Sequence, residues 1–96
     1  MRPDVKKADL EWYICIHIEG VCAVCGMNRQ LEAHHIVPRS HKATRHAVEN
    51  GVLLCAEHHR GKDSAHNAPL WFMAWLKENR PWQAKWVEEN RHKLAV

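Results

Sequence analysis

Apolar positions change their spacing several times along these 96 residues, and each change predicts an element. Asp4 is placed to cap a helix in which Leu10, Tyr13, Ile14 and Ile18 recur at helical spacing, with Gly20 as its stop. Ile14, Ile16 and Ile18 also alternate, so a strand competes for this stretch, and the helix is preferred. Cys22 to Cys25 followed by Gly26 predicts a tight knuckle, because two thiolates two residues apart face one ion only when the backbone turns sharply. Gln30 to Val37 reads as a short strand ended by Pro38. The polar stretch Arg39 to Asn50 has no period and reads as a loop, and Gly51 to Cys55 returns as an apolar strand. A helix or turn begins near Ala56 and carries His58 and His59. Pro69 and Pro81 each suit the first turn of a helix, which predicts two terminal helices of about ten to fourteen residues.

Composition sets bounds on this outline. A chain of 96 residues makes one domain with one modest core, which a metal staple would help to hold. The net charge of +3 and pI near 8.8 permit a nucleic-acid partner without demanding one. No apolar run approaches the roughly 18 residues of a membrane span, and the first residues lack the pattern of a secretory signal. The expectation is a soluble, cytoplasmic chain with no membrane partner. In a reducing compartment the four cysteines are poor candidates for disulfides. A redox role for Cys22 and Cys25 lacks a surrounding thioredoxin-like unit. Cys15, among isoleucines, reads as a small core hydrophobe. Trp71 and Trp75, and Trp82 and Trp86, are each spaced four apart with Phe72, Leu76 and Val87 nearby, which reads as a packed helical face rather than a base-stacking platform.

The candidate chemistry lies in the middle of the chain. His34 and His35 are adjacent, Asn50 follows fifteen residues later, and His58 and His59 form a second pair. Adjacent polar rings cost burial energy and contribute nothing to a core. On a strand they point to opposite faces, so the two rings of the first doublet can divide two tasks. Cys22, Cys25, Cys55 and His58 form a Cys3His set with two-residue gaps on both sides, the pattern of a closed tetrahedral zinc site. The bland alternatives are a polar hairpin without chemistry and buried thiols without a ligand.

The run Cys22-x2-Cys25, then Leu31-Glu32-Ala33-His34-His35-Ile36-Val37-Pro38-Arg39-Ser40, then Glu49-Asn50-Gly51-Val52-Leu53-Leu54-Cys55-x2-His58-His59, resembles the HNH endonuclease family over residues 20 to about 66. The resemblance implies an α+β fold: a small ββα-metal hairpin-helix core with a zinc knuckle and flanking N- and C-terminal helices. Residues 1–96 would form a single nuclease domain with a helical extension from about 67. It implies metal-dependent hydrolysis of DNA phosphodiester bonds, by nicking or double-strand cleavage. Small proteins of this kind are frequent in phage genomes, and a homodimer or a larger phage assembly is open.

By the same resemblance, His35 is the general base, and its unperturbed pKa near 6.5 suits that task. Asn50 fixes the loop that presents it, with metal ligation as the lesser alternative. His34 and His59 are ligands of the catalytic ion, with Asp63 ranked ahead of His66 to complete the sphere. Imidazole ligands favour Mn2+, Ni2+ or Zn2+ over a strict Mg2+ requirement. Most relatives have Cys where His58 stands, so His58 and His59 are open to exchange between the structural zinc and the catalytic ion. Arg39, Lys42 and Arg45 are candidate phosphate contacts, and a solvated basic loop is the competing reading. His17, His41, His46 and His92 read as solvated or loop histidines. The alternative function is a non-enzymatic zinc module that binds nucleic acid or protein. His35 separates the two, since such a module has no use for an unliganded imidazole beside a ligand.

Overall fold

Two short apolar segments pair as an antiparallel hairpin, and the helices are arranged on its two faces. A computed structural model describes residues 3–91. The order is α1 (Pro3–His17), β1 (Leu31–His35), a 3-10 turn (Val48–Asn50), β2 (Gly51–Cys55), α2 (Ala56–Arg60), α3 (Pro69–Asn79) and α4 (Pro81–Asn90). The register runs from Leu31 opposite Cys55 to His35 opposite Gly51. The fold is thus the expected small α+β arrangement of hairpin and helices, with a Cys/His cluster compatible with zinc.

All five residues of β2 are buried, which its unbroken apolar run requires of a strand covered on both sides. Alternation then sorts the hairpin into two faces. Leu53 packs with Trp12 and Ile16 of α1, while Val52 and Leu54 pack with Phe72 of α3 and with Cys22. Because His34 lies opposite Val52 and His35 opposite Gly51, the doublet is split between the α3 face and the α1 face. Gly51 permits the approach of α1. A Cβ there would collide with the Ile16 side chain and lie 2.9 Å from Cζ2 of Trp12.

Helix α1 forms as expected, but its packed face is not the predicted one. Trp12 and Ile16 are buried, whereas Leu10, Tyr13, Ile14 and Ile18 are exposed, and Cys15 is exposed with them. The helix carries apolar residues on two sides, and the indole of Trp12 fits the space over Gly51, so that side docks. The aromatic stripe of α3 and α4 divides: Trp75 packs partly buried against the core and stacks on Phe72, while the first tryptophan of each spaced pair stays exposed. Trp71 and Trp82 are 37% and 60% exposed, and the packed residues are Phe72, Leu76, Ala84 and Val87. Helix α3 is apolar nearly all round, so periodicity could not choose its inner side.

The first strand ends at His35 rather than Val37. Ile36 still donates its N–H to the Asn50 carbonyl at 3.0 Å, and Val37 is then taken over by the Asn50 side chain. Two contacts dock the C-terminal helices. Nε2 of the fully buried Gln83 donates to the carbonyls of Glu49 and Gly51 at 2.8 and 2.7 Å, and Arg80 pairs with Glu19 at 2.9 Å. His92 and the end of the charged run Lys85–Lys93 lie outside the described residues. Among the described residues, no helix is long and apolar enough to cross a membrane.

Candidate metal centres and active site

The knuckle is built by backbone bonds that turn both thiols to one side. Gly26 donates its N–H to the Cys22 carbonyl at 2.8 Å, and its φ of +78° places it where glycine is favoured. Ala23 donates to the Leu53 carbonyl at 2.8 Å, fixing the knuckle against β2. Cys55 ends β2, and one turn of α2 brings His58 back beside it. Sγ of Cys55 lies 3.3 Å from Nδ1 of His58, Sγ of Cys22 lies 3.8 Å from the same nitrogen, and the Sγ atoms of Cys25 and Cys55 are 3.8 Å apart. A tetrahedron with metal–sulfur bonds of about 2.3 Å has edges of about 3.8 Å, shorter toward nitrogen, so the four donors fit a zinc ion. Burial pushes the Cys22 thiol up, yet backbone N–H groups around the knuckle outweigh it and bring the thiol to about 7, toward the thiolate that a metal needs.

A second cluster lies on the other side of α2. His34, His59 and His66 each offer a ring nitrogen, and these atoms lie within 4.8 Å of one another. Nε2 of His59 and Nε2 of His66 are 3.1 Å apart. Two ligands at about 2.0–2.1 Å from a tetrahedral ion stand about 3.3 Å apart, so this spacing suits a shared metal. Burial, reinforced by the neighbouring His59 and His66, pushes the His34 imidazole down to about 3 and keeps it the neutral ring that a metal accepts. Burial lowers His66 as well.

Asp63 is not in this cluster; His66 takes the third place. The reason is local. Gly61 ends α2, with so little room that a Cβ would sit 2.5 Å from the Glu57 carbonyl oxygen, and the helical spacing that favoured Asp63 stops there. The chain folds back instead, Ala65 and His66 donating N–H to the carbonyls of His58 and His59 at 2.9 and 3.2 Å. The two adjacent histidines of α2 are separated by the same helix, His58 falling with the cysteines and His59 with His34 and His66.

Glu32, outside the candidates named from the sequence, contacts the histidine cluster. Two positions before His34, it lies on the same strand face, and its Oε1 accepts from Nδ1 of His59 at 2.7 Å. Arg60 clamps the carboxylate with Nε and Nη2, at 2.9 and 2.6 Å. The arrangement turns Nε2 of His59 toward His66, as a carboxylate behind a metal-binding histidine does. The i, i+2 alternation from Glu32 to His34 was the available signal.

On the opposite face of β1, His35 is held in a different manner. Its Nε2 lies 3.0 Å from the Arg45 carbonyl, so the neutral ring donates there and leaves Nδ1 with a free lone pair. Burial keeps this imidazole below its ordinary value. The buried Asn50 fixes the loop that carries that carbonyl: Oδ1 accepts from Val37 N–H at 2.7 Å, and Nδ2 donates to the carbonyls of Val37 and Thr44 at 2.9 and 3.2 Å.

The three cations of the loop differ in their freedom. Arg45 is clamped to Asp9 of α1 at 2.8 and 2.5 Å and is committed to that pair, which holds the Asp9 carboxyl at about 2. Arg39 is 61% exposed, 3.7 Å from the same carboxylate, and Lys42 is exposed. His34, His35, Arg39, His59 and His66 all line one cleft of about 690 Å3 that opens between α1 and α3 along β1.

A hairpin and short helix that carry one closed Cys3His cluster and one open three-histidine cluster define a small ββα domain with two candidate metal sites. Residues 22–68 match the HNH endonuclease family, and the chain belongs to that family. No curated protein and no solved structure gives a significant match. Membership carries a nuclease-type, nucleic-acid-related function, and HNH nucleases act on DNA.

Proposed function

We propose that the protein is a metal-dependent DNA endonuclease in which His35 is the general base. The observation that supports this best is the division of the doublet: His34 joins two further imidazoles, while the next residue has one nitrogen tied to a carbonyl and the other free, and both line one cleft. A divalent ion held by His34, His59 and His66 would neutralise charge on the scissile phosphate and help to activate the attacking water. Nδ1 of His35 takes the proton of that water as the bond to phosphorus forms and the bond from phosphorus to the 3′-oxygen breaks, the departing oxygen taking a proton from solvent. Asn50 keeps the loop and its carbonyl in place during the transfer, and Arg39 at the cleft meets the flanking phosphate backbone. Arg45 serves the loop rather than the substrate. Hydrolysis leaves 5′-phosphate and 3′-hydroxyl ends.

Three imidazoles are borderline donors, so Mn2+ or Ni2+ supports cleavage at least as well as Mg2+, which prefers oxygen. The zinc of the Cys3His cluster is structural. Incubation of supercoiled plasmid with the protein and each of Mg2+, Mn2+, Ni2+ and Zn2+ tests this reading. Relaxed or linear product with Mn2+ or Ni2+ supports it. No cleavage with any of the four would favour a non-enzymatic zinc module.

A further inference from the structure

One contact to His35 comes from outside the HNH segment. The indole of Trp12, on α1, stacks on the His35 ring with centroids 3.7 Å apart and planes within 10°. The indole is itself fixed. It is 5% exposed, its Nε1–H donates to the Ala47 carbonyl at 2.9 Å, and it sits over Gly51, where no side chain intervenes. The same helix also supplies Asp9, which clamps Arg45, the residue whose carbonyl accepts from His35.

We infer that Trp12 is a positioning residue for the reaction: its indole sets the plane of the His35 imidazole, so that Nδ1 is aimed into the cleft. The physical need is specific. The χ2 torsion of histidine has a broad energy well, and one hydrogen bond at Nε2 leaves the ring free to turn about that bond's axis. A parallel aromatic surface at van der Waals distance removes this freedom, because turning the ring out of plane forfeits the stack on one side and collides on the other. A core role alone would ask for volume at position 12, not for a plane parallel to an imidazole. The inference rests on His35 being the general base.

Two measurements test it. In the parent protein, the carbon-bound ring protons of His35, assigned by their loss in His35→Ala, should be shifted upfield by the indole ring current. Ordinary imidazole shifts would overturn the stack whatever the variants do. Kinetically, Trp12→Phe retains a plane and should keep most of the cleavage rate, while Trp12→Leu retains apolar bulk and should lower kcat about 10- to 100-fold, the scale of a misaimed catalytic group. KM for DNA, zinc content and Co2+ binding at the histidine cluster should stay at parent values in both. Trp12→Leu that keeps its zinc and cuts with the parent kcat would overturn the inference. So would equal losses in Trp12→Phe and Trp12→Leu, which would mean that planarity is irrelevant. His35→Ala run alongside separates the layers: if it cuts at the parent rate, the base assignment falls and the inference with it, whereas a slow His35→Ala beside a fast Trp12→Leu removes the inference alone.

Discussion

The two candidate metal clusters share α2, and adjacent residues of that helix, His58 and His59, enter one each, yet the surroundings differ at every level. The Cys3His cluster is made of four donors from the knuckle and the β2–α2 junction, with Cys22 and Cys55 each 1% exposed, and it offers a tetrahedral ion no further position. The histidine cluster has three protein donors, one tied to a carboxylate, and it faces a cleft. Four donors close a sphere and contribute folding energy; three donors and an opening leave room for water and a phosphate oxygen. In the proposed reading, the ligand count and the accessible side of each site are what separate the staple from the reaction centre.

The largest effect that would break this comparison is loss of the staple. Cys25→Ser should lose zinc and folding together, since a structural zinc contributes on the order of 10 kcal/mol to a small fold. Stripping metal from the histidine cluster with a mild chelator should leave the circular dichroism intact. Elemental analysis beside the spectra reads both, and a folded Cys25→Ser protein without zinc would contradict the assignment.

Next in size is the third ligand. His66→Ala should weaken Co2+ or Mn2+ binding at the open site at least as much as the loss of an outer partner does, roughly 10- to 100-fold, while Asp63→Ala leaves it unchanged. The reverse order, measured by calorimetric titration of zinc-loaded protein, would return Asp63 to the sphere. A smaller change should follow from Glu32→Gln, about 10-fold in the same titration, because the neutral amide still accepts from His59 but no longer draws the Arg60 clamp.

The smallest effect is the response to acid. His34 is depressed from about 6.5 to about 3 in the fold, so between those values the unfolded chain binds the proton first. Stability without an ion at the open site is therefore full above pH 6.5 and falls as the pH drops toward 3. Urea midpoints measured between pH 7 and 5 should decline, and His34→Leu should decline less. Equal slopes for the two proteins would contradict the burial of a neutral His34.

How much of this could be read from the residues depends on how local each signal is. The limits of β2 and the starts of α3 and α4 were legible, because Gly51, Pro69 and Pro81 punctuate the chain where they stand. The Cys3His grouping was legible for the same reason, since its two pairs each span one turn. Which side of α1 or α3 packs was not legible: both helices are apolar on more than one side, and Gly51, thirty-nine residues after Trp12, decides the matter for α1. Helical spacing placed Asp63 ahead of His66, but Gly61 ends the helix, and only the fold-back beyond it sets His66 beside His34 and His59. Glu32 shares the His34 face of β1 by strand alternation, but its partners His59 and Arg60 are brought to it only by the fold.

In the proposed mechanism neighbouring histidines perform separate tasks, one binding the ion and the other moving the proton. The most direct measurement is the rate of plasmid cleavage as a function of Mn2+ concentration for the parent, His59→Ala and His35→Ala proteins, with zinc content confirmed in each. High Mn2+ should partly restore His59→Ala, whose loss is in affinity. His35→Ala should instead stay on the order of 10²-fold or more below the parent at every concentration, the range for positioned proton transfer. His35→Ala cutting at the parent rate, or recovering with metal as His59→Ala does, would contradict it.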